Sequence, residues 1–262
     1  MSVEASFIVP TWNRAEVLEV SVPLFLGQDL PGDSFEVVVV SDGPDERADR
    51  VLEWLAAPNL HYAALRENSG PAAARNRAIS MASGRILVFV DDDSLVKADF
   101  LRRHVQHHCG RDDMLVTGPI IDVTEVPDMA APPPVRLFDR HLNPFPTGNA
   151  SVAKAQVEAA GGFDEGFRTY GWEDPELYWR LRARGLTRRF ERAAPIYHFK
   201  PQATDRSLST QLKRELARGR NGAVYYAKHR NLSVGMQTKQ LPAFHALDRL
   251  LDFTRFARLA VS

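Results

Sequence analysis

The chain has 262 residues, enough for one large α/β domain or a domain with a small appendage, and it balances 33 Lys and Arg against 33 Asp and Glu. That balance excludes a general nucleic-acid binder, which normally carries a basic surplus. The single cysteine, Cys109, excludes an intrachain disulfide framework and fits a reducing compartment. The opening MSVEASFIVP has no basic leader segment, and no apolar run approaches a membrane span, so a cytoplasmic location is expected. In chain order, ASFIVPTW (5–12) reads as a strand ended by Pro-Thr, and 14–27 as a helix. FEVVVVSDG (35–43) is a β-branched run of the kind buried on both faces of a parallel sheet, ending in a Ser41-Asp42-Gly43 turn. A helix at 45–56 and a strand LHYAAL (60–65) follow. NSGPAAARNRAISMASG (68–84) has a helix start at Ser69-Gly70-Pro71, an Ala-rich body and a glycine stop. RILVFV (85–90) is a fourth buried strand, running into Asp91-Asp92-Asp93.

Strands and helices alternating through short connections predict a doubly wound sheet. In such sheets ligands bind beyond the carboxyl ends of the strands. Thr11, Asp42 and Asp91 to Asp93 should therefore converge, together with Arg75 and Asn76 on the third helix. No G-x-G-x-x-G follows the first strand, so a dinucleotide cofactor is not expected. Beyond residue 110 the pattern changes. VTEVPDMAAPPPVR (123–136) is a Pro-rich loop, and FPTGNASVAKAQVEAAGGFDE (145–165) reads as strand, helix and glycine turn. TYGWEDPELYWRL (169–181) places Trp172, Glu173 and Asp174 at the mouth of a helix spanning about 174–184. Acids near a helix start and Pro in its first turn explain part of that stretch by themselves. Strand-like TRRFER and APIYHF come next, and the tail from 205 is Arg-rich and helical.

Three aspartates at the end of a buried strand repel one another unless a cation sits among them, and hard oxygen ligands suit Mg²⁺ or Mn²⁺. An anionic partner such as a diphosphate would then fit, with Arg14 and Arg75 completing its neutralisation. A zinc site from His107, His108 and Cys109 is set aside, because neighbouring residues on a helix point in different directions.

These elements together resemble the nucleotide-sugar-dependent glycosyltransferases of family 2, which have the GT-A fold. Asp91-Asp92-Asp93 after RILVFV is similar to their D-x-D element. FIVPTWNR is similar to their first strand, which implies that Pro10 and Thr11 lie against the nucleoside. VVVVSDGPDE is similar to their second strand, with Ser41 in place of one Asp, so that Asp42 alone is carried over as a uracil-type contact. NSGPAAARNRAI resembles the segment whose Arg-Asn, here Arg75-Asn76, approaches the nucleotide. GGFDEGFRTYGWEDPELYWRL is similar to the acceptor-side motif of galactosyl- and N-acetylgalactosaminyl-transferring members. The resemblance spans about residues 5–200. It implies a Rossmann-like, mostly parallel sheet over 1–204, divided near 110 into nucleotide-binding and acceptor-binding halves, with a helical extension at 205–262.

The resemblance further implies an inverting transfer of a hexose or N-acetylhexosamine, with a UDP-sugar as donor and a saccharide or lipid-linked hydroxyl as acceptor. Asp174 would be the general base, Glu173 would hold the acceptor and Trp172 would offer a face to a sugar ring. Asp93 and His198 would bind Mn²⁺ (or Mg²⁺), Asp91 would lie nearer the ribose, and Asp92 and Arg14 would serve the nucleotide sugar. Three other readings fit the sequence less well. A haloacid-dehalogenase-type phosphohydrolase shares an apolar-strand Asp-x-Asp, but its motif opens the fold, whereas here three strands precede it. A sugar nucleotidyltransferase needs a glycine-rich first loop that is missing after FIVP. A non-catalytic nucleotide-sugar-binding domain has no need of a base beside the donor. The tail segment 241–261 alternates apolar residues with Arg249, Arg255 and Arg258. It is read as a helix packed on the domain or on a dimer partner, with peripheral contact on the inner face of a membrane as the alternative.

Overall fold

The computed structural model describes residues 3–136, 139, 143–169, 171–200 and 208–244. The tail helix expected at 241–261 falls almost wholly outside them. The chain divides into two compact units, Met1–Arg168 with Glu173–Asp205, and Thr169–Trp172 with Arg206–Ser262.

The first unit is built on alternation. Strands β1 (Ala5–Thr11), β2 (Phe35–Ser41), β3 (Leu60–Ala64) and β4 (Ile86–Val90) are parallel, in the order β3-β2-β1-β4. Every residue of β2 and β4 is buried, as a sheet covered on both faces requires. Successive side chains point to opposite faces. Phe7, Val9, Val37, Val39, Val88 and Val90 meet Leu18, Val22 and Phe25 of helix α1 (Ala15–Leu26). Ile8, Val38, Val40, Leu87 and Phe89 meet the alanines of α3 (Pro71–Met81) on the other side. Helix α2 (Glu46–Trp54) is capped by Asp45, whose carboxylate accepts the Arg47 and Ala48 amides at 3.1 Å.

Between β4 and residue 124 come elements that periodicity did not announce. Strand β5 (Ser94–Val96) leads to α4 (Phe100–Val105), a 3₁₀ turn at 106–108, and strands β6 (Met114–Thr117) and β7 (Ile120–Val123). Residues 124–136 contain no helix or strand, in keeping with the Pro-rich loop. Strand β8 (Asn149–Ala153) then enters antiparallel between β4 and β6, pairing Val90 with Asn149. Helices α5 (Lys154–Ala159) and α6 (Glu173–Ala183) and strands β9 (Thr187–Phe190) and β10 (Ile196–Phe199) complete the unit. Leu177 and Leu181 of α6 join the core beside α3, which fixes the start of that helix over the sheet. The main sheet has the order β3-β2-β1-β4-β8-β6-β9, and β5-β10-β7 form a second, smaller one.

The second unit contains helices α7 (Leu208–His229) and α8 (Leu232–Thr238). Asn231 caps α8 through the Val234 amide at 3.0 Å. Among the described residues no helix is long and apolar enough to cross a membrane.

Candidate active site

The ends of β1, β4 and β10 and the start of α6 bring five carboxylates together. Asp92 is buried and accepts Thr11 Oγ1 at 2.8 Å and Arg14 Nη1 at 2.7 Å. Asp93, also buried, accepts Arg14 Nη2 at 2.6 Å. His198 reaches it because β10 runs antiparallel to β5 with His198 opposite Ser94. Its Nε2 lies 2.8 Å from Asp93 Oδ1, yet that oxygen has no partner of hydrogen-bond geometry. Asp91 faces Arg75 at 3.4 Å.

Arg75 is the centre of the arrangement. Its buried guanidinium lies 3.4 Å from Asp91, 3.3 Å from Glu173 and 3.7 Å from Asp174, and stacks over Phe163 at 5.6 Å. One cation thus joins the end of β4 to the first turn of α6. Asp174 is further held by Thr147 Oγ1, which donates to both of its oxygens at 2.9 and 3.0 Å. The Thr147 amide and Asn143 Nδ2 lie 3.4 Å from Asp174 Oδ2. Burial, then the neighbouring Glu173 carboxylate, pushes Asp174 up to about 7 against the pull of Arg75. Glu173 Oε2 is buried without a hydrogen-bond partner.

The charge does not close. Asp91, Asp92, Asp93, Glu173 and Asp174 face the guanidinium groups of Arg14 and Arg75 and the imidazole of His198. With every acid ionised and His198 charged, two negative charges remain. Burial raises Asp92 to about 7, whereas Asp93, though buried, is held below the usual carboxylate range by His198 and Arg14. Asp91, Asp93 and His198 each offer one ligand atom, and the three lie within 4.8 Å of one another. Two carboxylate oxygens and an imidazole nitrogen, one oxygen unpartnered, suit a hard or borderline divalent cation.

The surrounding residues pack and hydrogen-bond this edge. Gly148 leaves room for Asp91, since a Cβ there would come within 2.8 Å of Asp91 Oδ2. Asn149 donates to the carbonyls of Pro119 and Ala194 at 2.8 and 2.9 Å, so its Oδ1 is turned to His104 Nε2 at 3.0 Å. Ser151 links His104 and His108, both at 2.9 Å. Burial lowers these imidazoles to about 3 and about 4, so the network is uncharged at neutral pH. Asp122 faces His198 opposite Asp93: β7 and β10 pair His198 with Asp122, and Asp122 Oδ1 lies 3.2 Å from Nδ1. Lys200 Nζ donates to the other Asp122 oxygen at 2.6 Å.

Sequence reasoning did not single out Asn143, Thr147, Gly148 or Asp122. The first three lie just before β8, and only antiparallel pairing of that strand with β4 brings them to the Asp91 corner. Asp122 carries no local signal at all. In the other direction, Asn76 is not brought to the carboxylates. Its amide bonds Phe163 O and Phe163 N at 2.9 and 2.8 Å and Glu165 at 2.8 Å, because adjacent residues on α3 point about 100° apart. Asp42 is turned to the start of α3, accepting the Ser69 amide at 2.7 Å and the Gly70 amide at 2.9 Å. There Gly70 has φ +97° and lies against the Arg168 backbone. Pro10 lies in β1 opposite Val40. Trp172 belongs with the helical unit: its Nε1 donates to Arg218 O at 2.8 Å, and its ring stacks on Tyr225 at 5.8 Å beneath the Arg218 guanidinium at 5.5 Å. His107 bonds Glu191, His108 bonds Ser151 and Cys109 is exposed, so those three form no metal site.

Residues 6–163 match the sequence profile described as glycosyl transferase family 2. The chain belongs to that family. Residues 137–202 also match the profile of the N-terminal domain of galactosyltransferase. Among curated proteins, the glycosyltransferase YfnE of Bacillus subtilis, itself uncharacterized, is 27% identical over 253 residues, covering 74% of this chain and 64% of YfnE. Among solved structures, TarS residues 1–349 of S. aureus in complex with UDP-GlcNAc align with a TM-score of 0.61 at 22% identity, over 77% of this chain and 60% of that one. Mannosyltransferase PcManGT of Pyrobaculum calidifontis, in complex with GDP-Man and Mn²⁺, aligns with a TM-score of 0.65 at 20% identity, over 87% of this chain and 64% of that one. These two similarities show the GT-A fold. The chain spans less than two thirds of the length of each of the three.

Proposed function

We propose that this chain is an inverting, divalent-metal-dependent glycosyltransferase that moves a hexose or N-acetylhexosamine from a UDP-sugar to a hydroxyl of a saccharide or glycolipid acceptor. The observation that carries the reading is the uncompensated carboxylate cluster at the strand ends, with the unpartnered Asp93 Oδ1 beside His198. Asp93, His198 and Asp91 are the residues that would hold Mn²⁺ or Mg²⁺. A cation bound there supplies charge neutralisation for the departing diphosphate.

The chain's own groups do the rest. Thr11 and Pro10, with the loop that Asp42 fixes at Ser69 and Gly70, form the nucleoside side. Arg14 lies on the diphosphate side. Glu173 presents a buried, unbonded oxygen able to accept a hydrogen bond from the acceptor sugar. Asp174, held by Thr147, receives the proton of the attacking hydroxyl. In one displacement the acceptor oxygen bonds the anomeric carbon, the carbon–oxygen bond to the phosphate breaks, and its electron pair leaves with the diphosphate. The configuration inverts. A base near 7 is matched to this task, because about half of it is ionised at neutral pH and it is still basic enough to take the proton. The UDP-GlcNAc complex of TarS supports a uridine donor, and the galactosyltransferase profile supports galactose or N-acetylgalactosamine as the sugar. The Mn²⁺ in PcManGT supports the choice of metal.

The test pairs binding with turnover. UDP should raise the thermal midpoint in the presence of Mn²⁺ and not in EDTA. Asp174→Asn should keep that shift and lower kcat by about 10²- to 10⁴-fold. Equal turnover by wild type and Asp174→Asn would remove the assignment of the base. A missing metal-dependent shift would remove the donor site.

A further inference from the structure

Formal charge is zero for the whole chain but not for its parts. Residues 206–262 carry 11 Lys and Arg against 3 Asp and Glu, a net of +8, while residues 1–205 carry 22 against 30, a net of −8. From Lys213 to Lys239, all seven basic residues are exposed, and Glu215 is the one acid in that stretch. The same two helices hold five of the eight large hydrophobic side chains exposed among the described residues: Leu212, Leu216, Val224, Leu232 and Met236. Leu212 and Leu216 on α7, and Leu232 and Met236 on α8, are spaced four residues apart, so each helix carries its pair on one face. The opposite faces are the packed ones. Asn221, Gly222 and Tyr225 of α7 are buried, as are Val234, Gly235 and Thr238 of α8. Lys213 and Arg220 lie on the leucine side of α7, within about a third of a turn of Leu216.

We infer that this surface docks the protein on an anionic lipid bilayer. Exposed leucines amid a surplus of cations are two signals that a charged bilayer rewards together. The apolar pairs enter the boundary below the headgroups, and the basic residues bind the negative surface. A nucleic acid would use the cations, but Leu212, Leu216, Leu232 and Met236 would add nothing to contacts with a phosphate backbone. The remainder of the chain carries a net of −8 and so adds no net attraction to such a surface. The inference is independent of sugar transfer, because vesicle binding and nucleotide binding are separate readouts.

The experiment is flotation of the full chain with phosphatidylcholine vesicles, with and without phosphatidylglycerol, at low and high salt. The protein should float only with the anionic vesicles, and less so at high salt. Each cation at such a surface contributes about five-fold in partitioning, so Lys213→Gln with Arg220→Gln should weaken binding by about 25-fold. Leu212→Ser with Leu216→Ser should weaken it by at least about ten-fold. All four positions are exposed, so both variants should keep the wild-type thermal midpoint and the UDP–Mn²⁺ shift. Absence of flotation, or equal flotation with neutral vesicles, would overturn the inference. So would binding to duplex DNA that the leucine variant leaves intact. Self-association by light scattering that the leucine variant abolishes, without flotation, would assign the surface to a second copy of the chain instead.

Discussion

Asp174 and Arg75 carry the most specific consequences at the scale of single residues. Asp174 acts only when ionised, and burial beside Glu173 raises its pKa to about 7. The sign follows directly. Below that value the group is protonated and cannot accept the hydroxyl proton, so log kcat should rise with pH up to about 7 and flatten above it. Asp174→Asn should abolish that acid limb as well as lowering the rate, measured as turnover across pH 5–9 (on the order of the range in which such groups titrate). Arg75 has a different role. Among the described residues it is the one cation shared by Asp91, Glu173 and Asp174, and it is buried. Removing one partner of a buried ion cluster leaves its acids uncompensated, at a cost of about 3–5 kcal/mol. Arg75→Met should therefore lower the unfolding free energy by that amount at pH 8 in urea titrations. The loss should shrink at low pH, where the acids are protonated. A diphosphate contact alone would leave stability unchanged.

Among the elements, strand register decides what the site contains. The parallel pairing of β7 with β10 sets Asp122 opposite His198, and β5 on the other side brings the imidazole to Asp93. Asp122 can then hold Nδ1 and leave Nε2 turned toward Asp93 and Asp91, as the outer carboxylate of a metal-bound histidine does. Asp122→Asn should weaken Mn²⁺ affinity by about 10- to 100-fold, read from free Mn²⁺ in electron paramagnetic resonance titrations. Its backbone pairing with β10 should remain. The β4–β8 pairing acts in the same way on the acceptor side. It places Gly148 where a side chain would strike Asp91, and Thr147 where its hydroxyl meets Asp174.

For the whole molecule, the candidate metal ligands lie about a hundred residues apart in sequence, Asp91 and Asp93 in the turn between β4 and β5 and His198 on β10. A cation bound there would tie that turn to β10. Mn²⁺ should accordingly raise the thermal midpoint of the full chain even without nucleotide, and excess EDTA should reverse the shift. Asp93→Ala should lose the response. The segregation of charge into a −8 part and a +8 part is also a property of the whole, invisible in the net charge of zero.

The framework was legible in local patterns of the chain. The apolar runs at 37–40 and 86–90, the Ser-Gly-Pro helix start at 69–71 and the acids after the fourth strand are local signals. Each depends only on chain sterics and solvent avoidance, so each was legible without a fold. The rule that ligands lie at strand ends then pointed to Asp91 and Asp93, and the family resemblance to Asp174 and His198. Which side chains meet depends on long-range packing. Asn76 follows Arg75 in the chain yet turns to Phe163 and Glu165, because one step along a helix is a large rotation. Trp172 precedes Glu173 yet bonds Arg218 and stacks on Tyr225, after Gly171 and Trp172 both adopt positive φ. Thr147, Gly148 and Asp122 take their places from strand pairings between distant segments, and pairing is a long-range choice that no local pattern encodes.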